Sequence, residues 1–214
     1  MTIAKPSGTC RNTFRIEGDG GITKTGAGTF FFDTRSWWSN DQATETKCTS
    51  SYGITTWNFN GPVDIQEGVL AVTNGAIAAT MSPTVHIAEG ATWQLRGDVA
   101  LANVTVSGSG TVEGGALTDP TVKVEWKDGK PGNGPVFAGT LAGTATVDFG
   151  RTEDNPLGRD SQLCTVARWT GVKPTDVKFR AVNTGLRSKG HFTVNDDGTI
   201  TADLRPMGMI LFVR

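Results

Sequence analysis

The sequence predicts an all-β protein wound as a parallel β-helix, and three observations carry that expectation. Short runs hold apolar residues two apart, as in Phe30/Phe32, Val63/Ile65 and Leu70/Val72, a spacing that puts each pair on one face of a strand. The runs end at Gly, Asn or Asp, residues that accept the left-handed conformations needed at sharp corners. They also recur: Val63/Ile65 starts twenty-two residues before Val85/Ile87, and Val104/Val106 starts nineteen after it. A period near twenty is one coil of a β-helix. The 28 glycines and 37% hydrophobic residues among 214 suit a fold with many corners and a thin continuous core.

Taken in order, residues 1–19 hold one expected strand, Thr13 to Glu17, in a first coil whose open edge calls for a cover or a further coil. Two apolar segments follow, 20–32 and 61–75, separated by a polar link that contains Trp37, Trp38 and Tyr52. Residues 83–115 keep the rhythm of strand, corner, strand: Thr84-Val85-His86-Ile87, Gly90, Trp93-Gln94-Leu95, Gly97-Asp98, Val104-Thr105-Val106, Gly108-Ser109-Gly110. From Asp119 the pattern changes. Val122, Val124 and Trp126 read as one strand, 127–135 as a long turn, Thr144 to Phe149 as a strand and 150–160 as a polar loop. Leu163 to Trp169, Val177 to Val182, Phe192 to Asn195, Thr199 to Leu204 and Met209 to Val213 read as five antiparallel strands, with Asn195-Asp196-Asp197-Gly198 as a hairpin turn. The expected organisation is therefore coils over 1–119, with an inserted loop at 33–60, then terminal coils and an antiparallel capping region over 120–214.

Gly20-Gly21-Ile22-Thr23-Lys24-Thr25-Gly26-Ala27-Gly28-Thr29-Phe30 and Gly61-Pro62-Val63-Asp64-Ile65-Gln66-Glu67-Gly68-Val69-Leu70-Ala71-Val72-Thr73-Asn74-Gly75 resemble the two halves of one autotransporter-associated β-strand repeat. That family, also called the passenger-associated transport repeat, follows a pattern close to GGxxKxGxGTLxL, a short link, and TxIxxGTLxVxNG. The residues that carry the resemblance are Gly21, Lys24, Gly26, Gly28, Thr29, Gly61, Gly68, Asn74 and Gly75. It implies a right-handed parallel β-helix in a bacterial secreted or surface passenger. The link departs from the family, since Asp33 to Asn60 far exceeds its usual length. Extending a closed loop from about 10 to about 28 residues costs only about 0.9 kcal/mol, so the solenoid carries the insertion cheaply.

The net charge of −1 and pI near 6.1 provide no basic footprint for phosphate, which argues against a nucleic-acid partner. No apolar run approaches the length of a membrane span, and residues 1–12 lack the hydrophobic segment of a signal peptide. An exported protein of this sequence is then expected to be a piece of a longer one. Cys10, Cys48 and Cys164 have no metal-ligand spacing. The family resemblance implies an oxidising location, and with it a Cys10–Cys48 bridge that closes roughly 39 residues and contributes about 4 kcal/mol on the chain-entropy estimate. Three buried free thiols acting as small hydrophobes are the alternative.

Catalytic signals are sparse. His86 and His191 are the only histidines, and alternation places each opposite its apolar neighbours, toward solvent. No Gly-x-Ser-x-Gly elbow, phosphate loop, dinucleotide fingerprint or zinc pattern occurs. Asp64 and Glu67 are the only carboxylates inside the best repeat. Glu67, Glu89, Asp98 and Glu113 fall at corners, and Arg151, Glu153, Asp154, Arg159 and Asp160 form a charged loop that reads as solvated. Trp37, Trp38 and Tyr52 are the candidate binding residues, able to stack on sugar rings or fill a partner's pocket. The alternative is that they fold back over the solenoid flank. These features point to a non-catalytic scaffold or adhesin without cofactor or metal, with glycans or host surface proteins as partners. The rival readings are a β-helix polysaccharide lyase or glycoside hydrolase, which needs carboxylates converging in a groove, and a glycan-binding module.

Overall fold

The structure, a computed structural model, describes residues 2–4, 7–12, 16–18, 20–32, 57–59, 61–73, 77, 81–186 and 190–205. The first coil holds β1 (Thr2–Ala4), β2 (Thr9–Asn12) and β3 (Ile16–Gly18), and the second holds β4 (Ile22–Thr25), β5 (Thr29–Phe32) and β6 (Trp57–Phe59). The third contains β7 (Val63–Ile65) and β8 (Val69–Thr73), the fourth β9 (Thr84–Ile87) and β10 (Thr92–Ala102), the fifth β11 (Thr105–Gly108) and β12 (Thr111–Thr118). The sixth starts with β13 (Thr121–Lys123), makes a small hairpin from β14 (Trp126–Lys127) and β15 (Lys130–Pro131), and runs into β16 (Val136–Arg151). After it come β17 (Leu163–Trp169), β18 (Val177–Thr184), β19 (His191–Val194) and β20 (Thr199–Asp203). The helical content of the described residues is a single 3-10 turn at Arg159–Ser161, and no helix is long and apolar enough to cross a membrane.

Equivalent strands stack in parallel, which makes this the β-helix the sequence predicts. The hydrogen-bonded order climbs one face as β1-β4-β7-β9-β11-β13, passes through β16, and descends another as β12-β10-β8-β5-β2. β16 joins both faces because its 16 residues bend: Val136 to Ala142 pair with β12, and Thr146 to Asp148 pair with β13. A third face comes from β3 against β6 and from the second half of β10, where Ala100 to Ala102 pair with Ala116 to Thr118. Gly114 and Gly115 turn β12 between two faces at φ +71° and +60°. A Cβ on Gly114 would lie 2.4 Å from the Leu95 carbonyl oxygen, so that corner takes no side chain.

Period-two alternation produces the core. Ile22, Val63, Val85, Val106, Val122 and Val147 stand directly opposite one another up the first face, each at most 2% exposed. On the second face Phe30, Leu70, Trp93, Val112 and Phe137 form the matching row, all buried. Full burial of such a side chain contributes about 1.5–3 kcal/mol. Each coil shares its rows with its neighbours and is unstable without them.

Three expectations need correction. The partner of Val85 is Val106, not Val104, because Val104 packs at the corner while the strand proper starts one residue later. The first coil carries three described strands, Thr2–Ala4, Thr9–Asn12 and Ile16–Gly18, where one was expected; residues 13–15 of the expected strand lie outside the described residues. Val177 to Val182 is not antiparallel: β18 pairs in parallel with β16, Thr146 opposite Arg180, so stacking runs across residue 120 without a break. Alternation fixes which face a side chain takes, and says nothing about the direction of the partner strand. The antiparallel part is smaller, with β20 between β17 and β19, and the Asn195–Gly198 hairpin is present as expected. Ile200, Ala202 and Leu204 of that cap are fully buried, and Phe192 stacks on Phe179 at 5.7 Å between ring centroids. The expected strand at 209–213 lies outside the described residues.

Candidate functional site

Asp64 and His86 occupy the middle of equivalent strands, Val63-Asp64-Ile65 and Val85-His86-Ile87, and stand opposite each other. Their neighbours face the core, so both side chains project from the outer face of the first sheet. His86 Nδ1 lies 2.7 Å from Asp64 Oδ1, and its Nε2 lies 3.3 Å from Glu125 Oε1. Gln66 Nε2 donates to the other Asp64 oxygen at 2.7 Å. Carboxylates accept and do not donate, so the imidazolium form satisfies both partners and the neutral ring only one. All three side chains of the cluster are more than a third exposed, at 40% for His86, 37% for Asp64 and 48% for Glu125. Exposure of that order keeps the energy of such pairs at about 0–1 kcal/mol.

The ring stands between the two carboxylates, whose oxygens therefore do not converge on one point. Among the described residues no group of three or more His, Cys, Asp or Glu side chains is arranged to hold a metal ion. What the cluster can do is present acceptors and an orientable imidazole on a flat surface.

The second sheet has a different outer face. Phe31 and Ala71 point away from the core row of Phe30 and Leu70, yet they are 4% and 0% exposed, so β5 and β8 are buried on both sides. The Arg96 guanidinium lies over the Phe31 ring at 4.3 Å. Further along, Arg151 lies 3.8 Å over Trp126, whose Nε1 donates to the Phe149 carbonyl at 2.9 Å. The Arg151 Nε is buried without a hydrogen-bond partner. Glu153, Asp154, Arg159 and Asp160 are exposed, in keeping with solvated loop charge.

Of the residues marked by the repeat pattern, Lys24 has the most unusual setting. Its side chain is wholly buried and its Nζ donates to the carbonyls of Thr25 at 2.8 Å, Gly26 at 2.6 Å and Glu67 at 3.1 Å. Burial holds its ammonium below the usual lysine range, and the Glu67 charge opposes that shift. Gly26 and Gly68 have φ +76° and +66°, Gly28 and Gly61 are buried, Thr29 opens β5, and Gly21 lies just before β4. Trp37, Trp38, Tyr52, Cys48, Asn74 and Gly75 lie outside the described residues, and Cys10 is described only as part of β2. Cys164 is a free thiol that burial pushes up to about 11, leaving little reactive thiolate near neutrality.

His86 faces outward as alternation predicts, and its pairing with Asp64 carries a sequence signal of its own. Both stand between two apolar residues of a short strand, and one coil separates them. Glu125 had no such signal, because it lies beyond β13 and reaches His86 across the row of Ser107. None of the family models, curated proteins or solved structures compared with this chain matches it.

Proposed function

We propose that this chain is a non-catalytic length of β-solenoid in a bacterial secreted or surface protein, a rigid scaffold that displays the insertion between β5 and β6 for adhesion. The observation that supports this reading is the unbroken parallel stack from β1 to β18, with apolar rows running its length. Such stacking turns chain length into reach and leaves few exposed backbone groups for proteases. The insertion leaves the stack at Phe32, where extra sequence costs little and specificity can be placed.

The test is glycan-array binding by the intact protein beside a Trp37→Ala/Trp38→Ala variant, with circular dichroism to confirm that both remain folded. Binding lost in the folded variant supports adhesion through the insertion. Binding retained by it moves the site elsewhere, and no binding by either leaves the scaffold without the adhesive role.

One observation favours a carbohydrate-active enzyme: the outer face carries two carboxylates, Asp64 and Glu125, one on either side of His86. That reading expects turnover of a polysaccharide that Asp64→Asn or Glu125→Gln abolishes. Equal rates in wild type and both variants sink it.

A further inference from the structure

Lys24 is the only wholly buried charged side chain among the described residues. It stands on an inward row with Ile3, Ile65 and Ile87, where its neighbours are aliphatic. An ammonium has three N–H donors and no acceptor. Three carbonyls meet it, two from the corner of its own coil (Thr25, Gly26) and one from the next coil (Glu67). The donor count and the acceptor count match, and the bonds tie two coils together.

The chain between those coils is unusual as well. Lys24 and Glu67 are 43 residues apart, whereas Asp64 and His86, also in contact across one coil step, are 22 apart. Residues 33–56 separate β5 from β6, so no short connection fixes coil three against β4 and β5; β6 itself is aligned only through its pairing with β3. Alternation forbids a slip of one residue, which would turn the apolar face outward. It permits a slip of two, which exchanges the Ile22–Val63 pair for Ile22–Ile65 and keeps every apolar residue inside. Such a slip moves the Glu67 carbonyl by about 6.6 Å, two strand residues, and out of reach of Nζ.

We propose that Lys24 is a register pin: its buried ammonium selects the single alignment of coil three on coil two that brings the Glu67 carbonyl to the Thr25–Gly26 corner. From the third to the fifth coil short connections set the register. At the insertion a buried polar group does so, the best-attested use of such groups. The inference is independent of what the insertion binds.

Methyl-labelled protein read by NMR tests it, with wild type beside Lys24→Met, which keeps the apolar stem and removes the donors. The variant is expected to show a second set of Ile22, Val63 and Ile65 methyl signals, while Val85, Val106 and Val122 keep one. Replacing residues 33–56 by a link the length of residues 74–76 in the Lys24→Met background is expected to restore a single set. One in-register set in Lys24→Met with its long link, or doubling spread equally over Val85 and Val106, overturns the proposal. Should Lys24→Met not fold, the short-link form decides: a single folded set supports the pin, and failure of that form as well overturns it.

Discussion

The corners of the third and fourth coils share a sequence, Glu67-Gly68 and Glu89-Gly90, and both glycines are left-handed at φ +66° and +78°. Their surroundings differ. A Cβ on Gly68 would lie 2.5 Å from the Gly28 oxygen and 2.6 Å from the Gly26 oxygen, while one on Gly90 meets nothing within 4 Å. Beneath the first corner lies the Lys24 ammonium of coil two, and beneath the second, at the equivalent position of coil three, lies Ile65. The same dipeptide therefore turns an ordinary coil in one place and seals a polar junction in the other. Local conformation explains why both are glycine, and only the neighbouring coil explains why one of them has no room for anything else.

Substitution at the two glycines separates the corners most strongly. Gly68→Val is expected to abolish cooperative folding, because two backbone oxygens cannot yield. Gly90→Val is expected to cost only the left-handed penalty of about 1–2 kcal/mol. Chemical denaturation of both variants checks this, and equal losses would erase the difference between the corners. Next in size, Ile65→Ala and Ile87→Ala are each expected to cost about 2–5 kcal/mol, alike at both junctions because both side chains are fully buried on one row. Lys24→Met should cost about 1–3 kcal/mol for carbonyls left without a donor, against less than about 1.5 kcal/mol for Ile87→Met; thermal melts separate the two.

The smallest expected effect lies in the cap. Asp203, hydrogen-bonded first of all by the Arg205 side chain, is held at about 2. A carboxyl depressed in the folded state contributes stability above its unfolded value of about 3.9, and that contribution is lost as pH falls through about 2. Asp203→Asn should therefore lower the melting temperature slightly near neutrality and converge with wild type in strong acid. A gap of constant size across that range would contradict the assignment.

Much of the fold was legible because alternation and a period near twenty are direct consequences of stacking. Phe30, Leu70, Val63 and Ile65 all face the core as their spacing requires. The parallel run of β18 was not legible, since coil length varies beyond residue 120: Thr105 pairs with Thr121, but Thr121 pairs with Thr146 and Thr146 with Arg180. Excursions such as the β14–β15 hairpin hide the period there. The burial of Phe31 and Ala71 on an outward face also escaped alternation, although the runs Thr29-Phe30-Phe31-Phe32 and Val69-Leu70-Ala71-Val72 are continuous in the manner of strands covered on both sides. Lys24 stood out in the sequence as part of a pattern. Its position inside the core needed the three carbonyls to be seen.

Residue-resolved hydrogen exchange in wild type and Lys24→Met tests most directly whether coil two to coil three is held differently from the rest. The variant is expected to lose protection at the Ile22, Gln66 and Val69 amides, which donate to the carbonyls of Pro62, Lys24 and Gly28. The Thr105 and Thr121 amides, bonded to Pro83 and Val104, should exchange as in wild type. Uniform loss along the solenoid, or no loss at the first three, would contradict that expectation.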